Sequence, residues 1–176
     1  MQSLNIDRSA PQSTRQAAAP AVFESLRRVL ATDTSKTAAF QRVALAAVVL
    51  PHGLQKVFGW FGGWGIEGTL GWFQSALGVP APVAALVIVS DFLGAIALGL
   101  GLFSRVAALG TALTMLGAIA MVHASNGFFM NWAGTNPGEG FEFHLLALGL
   151  CLPLIVRGGG AFSLDRWLAA RLGAST

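Results

Sequence analysis

Residues 82–102 read PVAALVIVSDFLGAIALGLGL, an apolar run broken only by Ser90 and one acid, Asp91. A helix needs about 20 residues to cross the hydrocarbon core of a bilayer, and this stretch has that length. An ionisable group inside such a run is costly and by default marks function. The reading is therefore a helix in lipid that holds a carboxylate.

Three further apolar runs flank it, roughly Phe40 to Phe58, Val106 to Ala124 and Phe141 to Val156. All three histidines lie in these runs. Consecutive spans alternate in direction. His52 and Lys56 late in the first run, Asp91 toward the start of the second, His123 late in the third, and Glu142 and His144 early in the fourth therefore converge on one leaflet. The expected fold is all-α, a polytopic membrane four-helix bundle. Composition agrees: 54% of residues are hydrophobic, 11% are charged, and the mean hydropathy is +0.64, too apolar for an ordinary soluble domain.

Between Val43 and Val156 the only formal charges are Lys56, Glu67, Asp91, Arg105, Glu139 and Glu142, so the net charge of +3 comes from the flanks. That distribution forms no basic patch for DNA or RNA, and no nucleic-acid partner is expected. It does set an orientation, because cytoplasmic flanks retain Lys and Arg. Arg27, Arg28, Lys36 and Arg42 precede the first span, Arg105 lies in the second connection, and Arg157, Arg166 and Arg171 follow the fourth. The connections Gly59 to Ala81 and Ser125 to Gly140 hold acids and no Lys or Arg. Both termini are expected in the cytoplasm and the ionisable cluster in the outer leaflet, beside Trp60, Trp64, Trp72 and Trp132, with Trp167 marking the inner side.

The chain divides into a cytoplasmic extension over 1–38, a transmembrane domain over 39–157 and a cytoplasmic tail with a short helix over 158–176. Residues 1–20 are polar, with Pro11 and Pro20 as breakers, and read as a disordered tail. Val22, Leu26, Val29 and Leu30 fit either a short interfacial helix or a solvated leader. No cleavable signal is expected, since the first run passes into His52 and Lys56 rather than a small-residue cleavage site. In the first outer connection, Ile66, Leu70, Phe73 and Leu77 recur at helical spacing and predict an amphipathic helix on the outer surface, reached through Gly62, Gly63 and Gly65. The long third connection, Ser125 to Gly140, is either a lid or a flexible loop.

Ser90, Gly94, Gly99, Gly101, Gly110, Thr114 and Gly117 let backbones approach where lipid supplies no hydrophobic drive. Asp91 shares a stripe with Gly94 and so faces a neighbouring helix. His52 and Lys56 share a stripe with Gly53 beside them. Glu142 and His144 lie about 200° apart on their helix and cannot both face one centre. The lone Cys151 gives no internal disulfide, and no glycine loop has the ending that phosphate binding needs.

Several motifs stand in order. Gly53 to Lys56 with Phe58 closes the first span and Gly78 to Pro80 leads to the second. Asp91, Gly94 and Leu98 to Arg105 (Leu-Gly-Leu-Gly-Leu-Phe-Ser-Arg) follow, then His123, then Gly158, Gly160, Ser163 and Asp165. This order resembles the DoxX family of small four-helix bacterial membrane proteins, from about Gln41 to Leu168. The family's acid in the second span is usually Glu, and Asp91 is one methylene shorter. The resemblance implies a multi-pass protein of the bacterial inner membrane associated with redox chemistry. Relatives include the quinone-reducing subunit of a thiosulfate oxidoreductase and a partner of sulfurtransferase and superoxide dismutase in an oxidant-resistance assembly.

Three functional readings follow. In the first, the protein is a quinone-linked or oxidant-handling subunit. His52, His123 or His144 exchange protons near neutral pH, Lys56 stabilises a developing oxyanion, and Asp91 or Glu142 relay protons. His52, Gly53, Lys56, Trp60 and His123 are then the candidates for contact with the quinone, and redox-enzyme subunits or a second copy are candidate partners. In the second, His52, His123 and His144 with a carboxylate hold a metal or haem; no close pair of histidines and no Cys-x-x-Cys supports it. In the third, the protein is an accessory scaffold, Lys56 pairs with Asp91 or Glu142 or snorkels outward, and Ser163 is a helix N-cap.

Overall fold

A computed structural model describes residues 21–172; the expected tail over residues 1–20 lies outside the described residues. Seven helices follow in order: α1 Ala21–Leu30, α2 Lys36–Phe58, α3 Gly65–Leu77, α4 Ala81–Leu100, α5 Ser104–Asn126, α6 Glu142–Arg157 and α7 Leu164–Arg171. Among the described residues there is no strand. Helices α2, α4 and α5 are long and apolar enough to cross a membrane. Helix α6 has 16 residues, a rise of about 24 Å, and packs along α5 and α2.

The distribution of side chains is the reverse of a soluble bundle. The interior is built of Ala46, Ala95, Ala108, Ala112, Ala147 and Cys151 around Leu45, Val49, Leu98 and Leu154. The large residues Leu86, Leu113, Leu146, Leu152 and Val156 stand exposed. In lipid there is no gain in hiding leucine, while close helix packing requires small residues at the contact. The exposed leucines and buried alanines therefore describe one lipid-facing molecule.

Local chemistry sets the element ends. Ser35 caps α2 by accepting the Ala38 N–H at 3.1 Å, so the helix starts at Lys36, ahead of the first apolar residue of the run. Gly59, with φ of 71°, ends it. Helix α3 occupies the first connection where the amphipathic helix is expected. It ends at Gly78, the Val79 N–H closes onto the Phe73 carbonyl at 2.9 Å, and Pro80 starts α4.

Both ends of the described chain meet at one end of the bundle, here termed basal. The Arg27 guanidinium donates to the Leu172 carbonyl at 2.8 Å, and the Ala161 N–H to the Ser35 carbonyl at 2.9 Å. Arg42 is the centre of this end. It is 3% exposed. Its Nε donates to the Gly159 carbonyl at 2.9 Å, Nη1 to Leu98 at 3.0 Å and to Gly99, and Nη2 to Phe162 at 2.9 Å. One side chain of α2 thus satisfies carbonyls at the end of α4 and in the turn after α6.

The tail motif forms the rest of that lock. The Asp165 carboxylate accepts the N–H groups of Phe103 and Ser104 at 2.6 and 2.8 Å, capping α5 from another segment. Burial lifts the Asp165 carboxyl above the ordinary carboxylate range, and the bonds from Ser104 and Phe103 and the charge of Arg42 pull it back. Ser163 caps α7 by accepting the Arg166 N–H at 3.2 Å. Gly160 has φ of 73°, and a Cβ there would sit 2.7 Å from the Ala38 Cβ.

Candidate functional site

The opposite, distal end gathers most of the ionisable residues singled out in the sequence. Two of the spanning helices widen into a π turn there, Ser90–Gly94 in α4 and Ile119–His123 in α5. Single π turns inside helices are frequent at functional sites. One carries Asp91, the other ends on His123.

Lys56 and Asp91 form an ion pair, Nζ to Oδ2 at 2.7 Å. Asp91 is 2% exposed and the Lys56 side chain 25%. Gly53 makes the pairing possible, because a Cβ there would fall 2.6 Å from the Phe92 Cα. Helices α2 and α4 therefore touch backbone to backbone one turn before Lys56. The second carboxylate oxygen, Asp91 Oδ1, is buried with no hydrogen-bond partner, as is the neighbouring Ser90 hydroxyl. Leaving a buried charged oxygen without a partner is costly, which sets this carboxylate apart from the fully bonded one of Asp165.

The histidines divide. His123 and His144 face each other with ring centroids 4.2 Å apart and planes at 41°. His123 Nδ1 lies 2.8 Å from the Glu139 carbonyl, which favours a proton on that nitrogen in the neutral ring and leaves Nε2 as an acceptor. His144 is buried with its Nδ1 unpartnered. His52 instead is exposed and its ring lies 6.3 Å from that of Phe143 on α6. Among the described residues no group of three or more His, Cys, Asp or Glu side chains is placed to share a metal ion.

Glu142 turns to the third connection, where Oε1 accepts the Met130 N–H at 2.9 Å and lies 3.4 Å from the Trp132 indole nitrogen. Glu139 accepts the Asn131 N–H, and Asn131 and Asn136 bond each other in both directions. The connection is thus tied by its own polar groups. Trp60 is exposed and packs on Phe58 with ring centroids 5.5 Å apart.

Two cavities meet at Lys56. A groove of about 770 Å³ runs between α4 and α5, from Phe103 at the basal end to Lys56 and His123 at the distal end. Ser90, Gly94, Gly110, Thr114 and Gly117 line it among apolar side chains. Trp72, Phe73 and Leu77 of α3 border its distal part. A vestibule of about 280 Å³ shares Lys56, Trp72 and Phe73 with it and is otherwise lined by Gln55, Gly62, Gly63, Trp64 and Thr69.

From the sequence, Arg42 is only a topology signal, and a quinone head is expected between helices near the outer surface with no groove assigned to its tail. The stripe of Gly94, Gly110 and Gly117 was the signal for a groove, read there as close helix contact. The buried Arg42 had no such signal, because its partners are all main-chain carbonyls.

Helices able to cross a bilayer, exposed leucines and buried alanines define an integral membrane protein. The sequence matches the DoxX family over residues 37–124, and the chain belongs to that family. The matched region carries Lys56, Asp91 and His123. No curated protein and no solved structure matches the chain.

Proposed function

We propose that this DoxX protein is a quinone-linked subunit of a redox assembly in the bacterial inner membrane. The observation that carries the reading is the groove: an apolar channel, about 30 Å along α5, that ends on a lysine and a histidine. A quinone has that form, a long isoprenoid tail and a polar head with two carbonyl oxygens.

The residues present fit such a head. The Lys56 ammonium keeps two N–H groups beyond the one given to Asp91, enough to donate to a carbonyl oxygen at the end of the groove. His123 presents Nε2, a donor when the ring is protonated and an acceptor when it is not. Asp91 stands behind Lys56 with one oxygen still open to a proton or a water. When bound, a quinone supplies two-electron, two-proton acceptor chemistry; the chain holds its head and moves protons at Lys56 and His123. His144 backs the His123 ring, and Gly53 sets the approach of α2 and α4.

Orientation follows from charge. Arg27, Arg28, Lys36, Arg105, Arg157, Arg166 and Arg171 gather toward the basal end, while Lys56 is the one cation among the described residues of the distal end. The basal end with both termini then faces the cytoplasm, α6 is the fourth crossing, and the site lies in the outer leaflet.

The test uses the full-length protein in vesicles of bacterial phospholipid with a photoreactive quinone. Labelling should concentrate on α4 and α5 and be displaced by unlabelled quinone. Label spread evenly over α6 and α4, or indifferent to competitor, would overturn the reading.

A further inference from the structure

Lys56 lines both the groove and the vestibule, and so do Trp72 and Phe73. The ammonium is therefore the polar group common to an apolar, lipid-side space and a second space at the distal surface. At the rim of the vestibule Gly62 and Trp64 are exposed, as are the adjacent Trp60 and Phe61. Exposed aromatic rings of this kind sit at the headgroup level, where water is present. Its wall is partly polar: the Thr69 hydroxyl donates to the Lys56 carbonyl at 3.5 Å and the Gln55 amide to the Phe61 carbonyl at 3.3 Å. Among the described residues, no titratable side chain other than Lys56 lines it. The space is large enough for several waters, each of which needs about 30 Å³.

We propose that the vestibule is a water-filled port joining the Lys56–Asp91 pair to the distal aqueous face, separate from the groove. Protons used at the pair then come from that face. Once the electron donor of the proposed redox assembly has reduced the quinone, a proton handed from Lys56 to the anionic oxygen of its head breaks one N–H bond and makes an O–H bond; a hydronium reaching Lys56 through the vestibule remakes the N–H bond and leaves water. The unsatisfied Asp91 oxygen, buried beside Lys56, gives an arriving proton or water a second place to reside. The use of the protons rests on the quinone reading; the port itself does not.

Thiol accessibility tests the port without any quinone. In wild-type vesicles the buried Cys151 gives the background. Lys56→Cys should react with a charged, membrane-impermeant methanethiosulfonate added at the distal face. Leu93→Cys, on the groove, should react with a lipid-soluble maleimide and ignore the charged reagent. Hydration favours the reactive thiolate, so the charged reagent should modify position 56 at least about tenfold faster than position 93. Lys56→Cys leaves Asp91 unpaired; if that variant does not fold, Lys56→Cys with Asp91→Asn removes the orphan charge and is measured instead. Reaction at 56 with the lipid-soluble reagent alone would overturn the port and leave the groove reading standing. Loss of competed quinone labelling with position 56 still open to the charged reagent would do the opposite.

Discussion

Arg42 and Lys56 are two cations on one helix, about 21 Å apart along its axis, and they meet burial in different ways. Arg42 gives its donors to main-chain carbonyls of Leu98, Gly159 and Phe162, at the end of one helix and in the turn after another. Lys56 holds a carboxylate whose other oxygen is left unsatisfied, and it borders two cavities. The Arg42 donors are all placed, whereas the Lys56–Asp91 pair keeps an unpaired oxygen beside open space, and the proposed function uses that difference. Arg42→Met should lower stability by about 3 kcal/mol, because several buried acceptors lose their donor together. Arg42→Lys should recover only part of this, since an ammonium cannot reach carbonyls in several directions as a planar fork does. Thermal unfolding in detergent measures both. Lys56→Met should also destabilise, by about 3 kcal/mol, since it strands the Asp91 charge. Adding Asp91→Asn should return most of that stability while competed quinone labelling stays lost; restored labelling would deny the pair its role. Sequence alone gave Lys56 the choice of Asp91, Glu142 or the interface, and the coordinates select Asp91. Arg42 was opaque for a physical reason: an arginine early in a span is what the charge rule for topology expects, and no pattern records which carbonyls lack partners.

At the scale of elements, the motifs that run through the chain turn out to be contacts between helices. Gly53 seats α2 on the backbone of Asp91 and Phe92, and Gly160 seats the basal turn on Ala38. Asp165 caps a helix that begins some sixty residues earlier in the chain. Such residues are visible in the sequence as unusual glycines and acids, but their partners are distant and their purpose shows only in the fold. The apolar runs are legible because length and hydropathy decide them. The two π turns are not, because they carry no local signature in length or hydropathy. The 200° between Glu142 and His144 showed that one of them turns aside without showing which, and the loop groups of Met130 and Trp132 claim Glu142. Gly53→Ala tests this level. The added methyl would meet backbone, which cannot yield as a flexible side chain does, so α2 must withdraw from α4. The expected loss is about 1–3 kcal/mol, read as a lower melting temperature. The Lys56–Asp91 distance should lengthen with it, and quinone labelling should fall more than stability does. An alanine variant with unchanged melting and labelling would mean that the two helices are not seated on that glycine.

For the whole molecule, the two ends differ in build: a basal lock of Arg42, Ser163 and Asp165 joins the helices, and the distal end holds an ion pair with an unpaired carboxylate oxygen beside two cavities. Between them the groove depends on side chains that are absent, and Gly117 is the clearest case. A Cβ added there would meet nothing within 4 Å, yet the residue lines the groove. Gly117→Leu therefore fills the channel without a clash, and it replaces a poor helix former with a good one, worth about 0.8 kcal/mol within a helix. Stability in detergent should hold or rise slightly. Competed quinone labelling should drop, while reaction of the charged reagent at position 56 should persist, since Gly117 lines the groove and not the vestibule. That separation makes the variant decisive. A groove that is merely a seam between helices would accept leucine with no change in labelling, whereas a channel that carries a tail loses its ligand without losing its fold or its access to water.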